Sequence, residues 1–504
     1  MLKHKLSIIH PLLFSQVPIL FLFTHNINIL EISEIIFPSV LIMTVTISLF
    51  FVLKFIFKNE IKVGVLTSVI IIIFFSFGHI FNITSSYFLE ILNSNSQLPL
   101  VIFFLLIFII TIIYLVKTRR QLNNATKILV AISFAMLSVS FVNIGTYYLQ
   151  YDDIKTQNEI NETGIFQQKF PNVFFIIVDG YAGSETLKEE LDFDNTEFYQ
   201  FLINNGFQVI PESHSNYSVS ITSITSTLNM NYIHNLISSE QERPDNYHPF
   251  YYLLDNNAVM ENFKSKGYHI VSFDSGDGIS ADISIADQNF CSSSLGNSQF
   301  MVMLTRTSIL NTIHVMLFQE EQREKILCAF SELSNLQQKK DGPIFVFAHI
   351  MLPHPPYIFG PNGEEVQPKT LERGDNWEKV GYLDQTRFVN KNIKQFVNTA
   401  LKNNSEQIII IQSDHGSSFN LQSDEDWKNP TEKMINERMS NLNAIYLPEN
   451  MNNVNSTITP VNTFRTIFNI LGDDYEILGN QMYFNDYDNL YNIKNVTSIL
   501  LKEN

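Results

Sequence analysis

Four separated stretches of this sequence concentrate side chains that can bind a cation or activate a hydroxyl. NVFFIIVDGY delivers Asp179 at the end of an apolar run, and IIIIQSDHGSSF delivers Asp414 and His415 together after four isoleucines. Two carboxylates and an imidazole can hold a divalent cation and leave positions open for substrate. Between them SNYSVSITSITSTLNMNY, residues 215–232, is crowded with hydroxyls, among them Ser218, Ser220, Thr222, Ser223 and Ser226. A hydroxyl becomes a useful nucleophile once a cation lowers its pKa. The fourth stretch, FVFAHIMLPHPPY, carries His349 and His354. Each stretch also has a plainer reading. An Asp after a strand often caps the next helix, and Ser and Thr cap backbone amides. A histidine inside an apolar strand is more often a packed core residue, and that reading has the edge for His349. On these residues alone no nucleophile is assigned.

The elements that must position these groups are short apolar runs alternating with amphipathic stretches. The runs are Val173–Val178, Tyr268–Phe273, Ile344–Ile350, Ile408–Gln412 and Asn443–Leu447. Continuous β-branched and aromatic runs without polar alternation suit strands buried on both faces. Helical patterns at 254–266 and 383–403 would cover them, which predicts an α/β domain with a largely parallel sheet flanked by helices. In such sheets ligands gather at the carboxyl ends of strands, where Asp179 and the Asp414–His415 pair fall. There is no internal repeat and no Gly-rich phosphate loop.

Hydropathy divides the 504 residues in two. Residues 1–150 contain nine Lys or Arg against four Asp or Glu, whereas the remainder carries 24 against 46. A basic apolar part joined to an acidic polar part reads as a membrane anchor plus a soluble domain. The acidic domain argues against a nucleic-acid partner, which would need basic surface. Uncharged stretches near 6–24, 35–53, 63–82, 98–116 and 128–147 are each long enough to cross about 30 Å of hydrocarbon. Lys3 and Lys5 precede the first, Lys54, Lys58 and Lys62 surround the second loop, and Lys117, Arg119, Arg120 and Lys127 fill the fourth. The first and third loops have no Lys or Arg. This alternation predicts a multi-pass protein of the cell membrane with a cytoplasmic N-terminus and, after five spans, an extracytoplasmic C-terminal part. The first segment is read as an uncleaved helix rather than a signal peptide. His10 and His79, inside spans, are read as packing residues. The expected organisation is a five-span transmembrane anchor at 1–147, a polar linker at 148–170 and a catalytic domain at 171–504. Cys291 and Cys328 could form one disulfide or none, and two buried thiols is the preferred reading.

The order of strand–Asp, Ser/Thr segment ending in LNM, HIMLPHPPY, and strand–DHG resembles the sulfatase-like enzymes of the alkaline phosphatase superfamily. With five spans ahead of it, the chain is most similar to the membrane-anchored branch that includes lipoteichoic acid synthase and the phosphoethanolamine transferases. The resemblance implies an alkaline phosphatase-like fold, and a hydroxyl that is both nucleophile and metal ligand. It places that hydroxyl at Ser220, where the branch more usually has Thr, first in a pattern continued by Ser223 and Ser226, and keeps Thr222 in reserve. It implies Asp179, Ser220, Asp414 and His415 as metal ligands, and His354 as a catalytic and substrate-binding residue, with His349 and Thr222 as further substrate contacts. Arg438 and Arg465 also fall in family-like segments, and a structural ion pair would explain each at least as well as substrate binding.

Departures from the family patterns narrow the chemistry. Formylglycine sulfatases use Cys/Ser-x-Pro/Ala-x-Arg, whereas this chain has Ser220, Thr222 and Ile224 in those places. Two-metal phosphatases need Asp-x-x-x-His and a later His, but Asp384 is followed four residues on by Phe388 and no histidine follows His415. The expectation is therefore one divalent cation, with Mn or Zn suited to a ligand set containing imidazole. The reaction class expected by resemblance is transfer or hydrolysis of a phospho-diester headgroup through a covalent serine intermediate, with a membrane lipid or lipid-linked glycan as substrate. The alternatives are hydrolysis of external phosphate or sulfate esters, or a degenerate, non-catalytic member.

Overall fold

The computed structural model describes residues 2–27, 30, 32–92, 98–151, 170–238, 246–274, 279, 283–292, 299–336, 342–366, 376–403, 406–449, 451, 454–455 and 457–501. The chain forms two compact units, one of residues 1–160 with 293–318 and one of 161–292 with 319–504.

The second unit is built on a seven-stranded sheet. Its strands are β1 (Asn172–Val178), β2 (Phe207–Val209), β3 (His269–Phe273), β4 (Gln288–Phe290), β5 (Ile344–Ile350), β6 (Gln407–Gln412) and β7 (Asn443–Tyr446), in the order β2-β7-β6-β1-β5-β3-β4. The pairs β6–β1, β1–β5, β5–β3 and β3–β4 are parallel; β7 alone runs against its neighbours β6 and β2. This is the largely parallel α/β sheet expected from the apolar runs. Alternate residues feed two separate cores. Val173, Phe175 and Ile177 pack on one face with Phe345, Phe347, Ile408 and Ile410, while Phe174, Ile176 and Val178 pack on the other with Val346, Ile409 and Ile411. Burying such side chains is worth about 1.5–3 kcal/mol each, so both faces hold the strand register. A hairpin of β8 (Tyr483–Asp486) and β9 (Asn489–Asn495) forms a second sheet. The helical stretch expected at 254–266 is two helices, His248–Asp255 and Ala258–Ser265, because Asn257 caps the second by accepting from Met260 N–H. The helix expected at 383–403 runs Trp377–Asn403.

The preference for two thiols is corrected: Cys291 and Cys328 are joined by a disulfide. Sequence spacing matched no motif, and only the fold brings the end of β4 beside the long helix Asn311–Asn335.

The first unit contains α1 (Leu2–His25), α2 (Ile36–Phe57), α3 (Glu60–Leu92), α4 (Leu98–Lys117) and α5 (Asn123–Tyr151). Each contains a stretch long and apolar enough to cross a membrane. Their outward faces carry large apolar side chains, among them Phe55 and Ile110, which suits lipid contact. His10 bonds Ser68 Oγ at 2.7 Å, a packing role. Helix α5 extends past residue 147, and the linker read at 148–170 lies outside the described residues from 152 to 169.

This unit also takes in a later piece of chain. The helix Gln299–Arg306 buries Phe300 and Leu304 among Phe14, Ile19 and Phe23 of α1. Phe300 N–H donates to Glu34 Oε2 at 3.3 Å. Gly78 N–H of α3 donates to the Thr307 carbonyl at 3.1 Å, and Ile309 N–H donates to the Phe74 carbonyl at 2.9 Å. Phe74 and Gly78 are one helical turn apart, so one turn of α3 gives residues 307–309 both a donor and an acceptor. Glycine is required at 78, since a Cβ there would lie 2.2 Å from the Arg306 carbonyl oxygen.

Candidate metal centre and active site

Three adjacent parallel strands, β6, β1 and β5, end on the same edge of the sheet and supply the acids and imidazoles. Asp179 follows β1 directly, and its N–H donates to the Ile350 carbonyl at the end of β5. Asp414 and His415 follow β6 after Ser413. His349 lies within β5, opposite Ile177 of β1. The turn after β1 is closed by Gly180, whose φ of +70° favours glycine, and its N–H donates to Asp414 Oδ1 at 3.0 Å. Tyr382 clamps the same turn, donating to the Gly180 carbonyl and accepting from Ala182 N–H. Gly416 completes the other loop. A Cβ there would lie 2.3 Å from the carbonyl oxygens of Glu437 and Ser440, so only glycine admits the segment that carries Arg438.

The hydroxyl-rich segment folds as the helix Ser220–Leu228, buried from Ile221 to Leu228. Most of its hydroxyls are structural. Ser223 Oγ donates to the Asp414 carbonyl at 2.7 Å, Ser226 to Asn231 and Thr227 to Ser223. Thr222 Oγ1 lies 2.8 Å from the Val219 carbonyl and 3.2 Å from Asn485 Oδ1, and neither partner belongs to the acid–imidazole cluster. Ser220 differs. It is the first residue of the helix, half-buried, and its Oγ lies 2.9 Å from His415 Nε2.

The polar atoms around that serine converge. His349 Nε2 lies 3.1 Å from Asp179 Oδ2, which leaves Asp179 Oδ1 buried without a hydrogen-bond partner. Gly180 occupies Asp414 Oδ1 and leaves Asp414 Oδ2 in the same condition. The two orphaned oxygens lie 3.9 Å and 3.2 Å from His415 Nε2. His415 Nδ1 donates to the Gly416 carbonyl at 2.9 Å, which makes Nε2 the lone-pair nitrogen. One ligand atom each from Asp179, His349 and Asp414 fall within 4.8 Å of one another. Burial works against ionisation of Asp179, but His354, the hydrogen bond from His349 and then His415 outweigh it and hold its carboxyl well below the usual carboxylate range. Burial, aided by Arg438, pushes His415 down to about 4 against the pull of Asp414 and Asp179, so the imidazole is neutral at physiological pH. Buried carboxylate oxygens without donors are costly unless a cation faces them. Two of them beside a neutral imidazole and a hydroxyl fit a divalent metal ion.

Next to this cluster is a cavity of about 420 Å³ lined by Gly180, His354, Tyr357, Trp377, Tyr382 and Arg438 among others. His354 is half-buried on the loop after β5, and its Nδ1 donates to the Pro355 carbonyl at 2.6 Å. The ion pairs weighed for the two arginines give way to other partners. Arg465 donates to the Met230 and Glu476 carbonyls, and Arg438 to two carbonyls and His415. The sequence marked Arg438 only as part of a family-like segment, without a place beside the metal-ligand candidates. For His349 the available signal was its place near the carboxyl end of a central strand, where Asp179 also lies.

The sequence model of the sulfatase family matches residues 171–472. The chain belongs to the sulfatase family. No curated protein matches it. Solved structures similar to this sulfatase-family chain include the C-terminal periplasmic domain of EptC from Escherichia coli in complex with Zn, at 12% identity and TM-score 0.41, covering 64% of this chain and 91% of that one. Lipooligosaccharide phosphoethanolamine transferase A from Neisseria meningitidis, an integral membrane protein, is similar at 10% identity and TM-score 0.38 over 93% of this chain and 95% of its own. The putative sulfatase yidJ from Bacteroides fragilis is similar at 14% identity and TM-score 0.39, over 66% and 85%.

Proposed function

We propose that this chain is a membrane-anchored, metal-dependent phosphotransferase or phosphodiesterase acting on a phospho-diester headgroup through a covalent intermediate on Ser220. The observation that carries the reading is the convergence of Ser220 Oγ, His415 Nε2, Asp179 Oδ1 and Asp414 Oδ2, the two acids having no other hydrogen-bond partner for those oxygens among the described residues. These four side chains would hold one divalent cation, Mn or Zn by the presence of imidazole, and His349 would orient Asp179 from behind. When bound, the cation would supply charge to lower the serine pKa and to stabilise the phosphoryl oxygens.

Ser220 Oγ attacks phosphorus. The serine proton leaves to solvent as the oxygen attacks. The P–O bond to the lipid alcohol breaks, and His354, in its imidazolium form, gives its Nε2 proton to the departing oxygen and takes one back from the second hydroxyl. The serine sits in the first turn of its helix, where the partial positive charge of free N–H groups also favours the alkoxide. A second hydroxyl, from a glycan, a lipid or water, then attacks the phospho-serine and restores it. Thr222 is set aside as nucleophile because its hydroxyl lies against Val219 and Asn485. A membrane lipid or lipid-linked glycan suits a domain tethered by five spans. Loop charges support a cytoplasmic N-terminus, and the Cys291–Cys328 disulfide agrees with an oxidising, extracytoplasmic compartment for the sheet domain.

The test is to incubate the full chain, loaded with Mn, with a phospholipid isotopically labelled in its headgroup, and to map the adduct by peptide mass. Label on Ser220 supports the reading. Turnover with no adduct, or an adduct elsewhere, ends the covalent-serine assignment. Release of the label to water alone, with no acceptor modified, would make the chain a hydrolase.

A further inference from the structure

Arg438 is the next-to-last residue of the helix Glu432–Met439, and its guanidinium is almost fully buried. Its three nitrogens face three partners. Nε donates to the Ser218 carbonyl at 2.7 Å and Nη1 to the Gly416 carbonyl at 3.2 Å, while Nη2 lies 2.9 Å from His415 Nε2, whose lone pair a bound cation would take instead. The first partner stands two residues ahead of Ser220, and the other two are in the loop that carries Asp414 and His415. The nucleophile segment and the metal-ligand loop are thus spanned by one rigid plane. That plane is itself seated over the Trp427 ring, 5.2 Å from its centroid. The preceding residue completes the support, because Glu437 accepts from Ser417 Oγ, Phe419 N–H and Asn420 N–H in the continuation of the same loop.

We infer that Arg438 is a positioning residue that sets Ser220 in register with the Asp414–His415 pair, through a guanidinium shared between their two segments. A buried arginine that merely satisfied carbonyls could be replaced by any group of similar size with donors. The fork demands more. A lysine ammonium concentrates its donors on one atom and cannot hold both the Ser218 and the Gly416 carbonyl at the spacing of Nε and Nη1, the two bonds that join the segments whether or not a cation sits on His415. Displacing a reacting oxygen by about 1 Å can cost about 10²-fold in rate, so loss of register would be felt in turnover more than in substrate affinity. The catalytic consequence rests on the function proposed above; the shared-register geometry does not.

The experiment compares wild type, Arg438→Lys, Arg438→Ala and the control Arg465→Lys as full chains loaded with Mn, and again loaded with Co(II). The expected result for Arg438→Lys is cooperative melting, full metal content, a KM for a soluble aryl phosphodiester within about threefold of wild type, and kcat down by about 10²-fold. Millimolar guanidinium ion added to Arg438→Ala should restore kcat at least tenfold, and Arg465→Lys should behave as wild type. The visible Co(II) spectrum should shift in Arg438→Lys and not in Arg465→Lys. Unchanged kcat and spectrum in Arg438→Lys, or a loss that guanidinium does not relieve, overturns the inference. So does a variant that no longer melts cooperatively, since that assigns Arg438 to folding of the whole domain. A wild type without turnover, whose Co(II) spectrum still moves with Arg438→Lys, would fault the proposed function and leave the positioning role standing.

Discussion

Ser220 Oγ and His415 Nε2 stand 2.9 Å apart although 195 residues separate them in the chain. The contact is made because the helix that begins at Ser220 leans its Ser223 hydroxyl on the Asp414 carbonyl, fixing one loop against the other.

Ser220→Ala is expected to remove the labelled adduct and, at saturating Mn, to lower turnover by about 10³-fold or more, with metal affinity also weakened because its Oγ is one of the four proposed ligands. Thr222→Val should retain adduct formation. Adduct mapping on both variants decides which hydroxyl reacts.

Chelation should abolish activity, and added Mn or Zn should restore it. Asp179→Asn and Asp414→Asn should each fail to retain metal by elemental analysis. His349→Gln removes the group that fixes Asp179 Oδ2, and a loss of about 10–100-fold in metal affinity is expected for a partner of this type. A His349→Gln protein that binds metal as wild type would reduce that histidine to packing.

Gly416→Ala would drive a methyl group into the backbone of residues 437–440, with the Glu437 and Ser440 oxygens 2.3 Å away. A cost of about 1–3 kcal/mol is expected for such overpacking. It would be read as a lowered melting temperature of the metal-loaded protein.

Reduction of the Cys291–Cys328 bond, which bridges a sequence separation of 37, should destabilise the protein by about 2–4 kcal/mol. Melting curves with and without reductant, alongside Cys291→Ser, check this. No change in either would leave the crosslink without energetic weight.

Much of the sheet is legible in the sequence because its strands are buried on both faces, so Phe174–Val178 and Ile408–Ile411 appear as unbroken apolar runs. Asp179, Asp414 and His415 stand out for the same reason, as polar residues at the ends of those runs. Other features depend on contacts that leave no local pattern. Arg438 looks like any helix-terminal arginine until the fold carries Ser218 and Gly416 to it. His349 reads as core because it is core, fully buried and also bonded to Asp179. The disulfide needed two distant segments to meet. The helix Gln299–Arg306 is apolar in the way many soluble helices are, and nothing in QFMVMLTR announces that its partner is α1.

That helix bears on how the protein can be handled. A truncation at residue 160, the obvious way to obtain a water-soluble catalytic fragment, discards Phe14, Ile19 and Phe23 but keeps Phe300 and Leu304. The fragment would present an oily stub in place of a seated helix, and is expected to self-associate or to carry detergent. Replacing residues 293–318 with a short linker, along with removal of the anchor, takes out the first unit alone and is expected to lower that self-association, which light scattering would show.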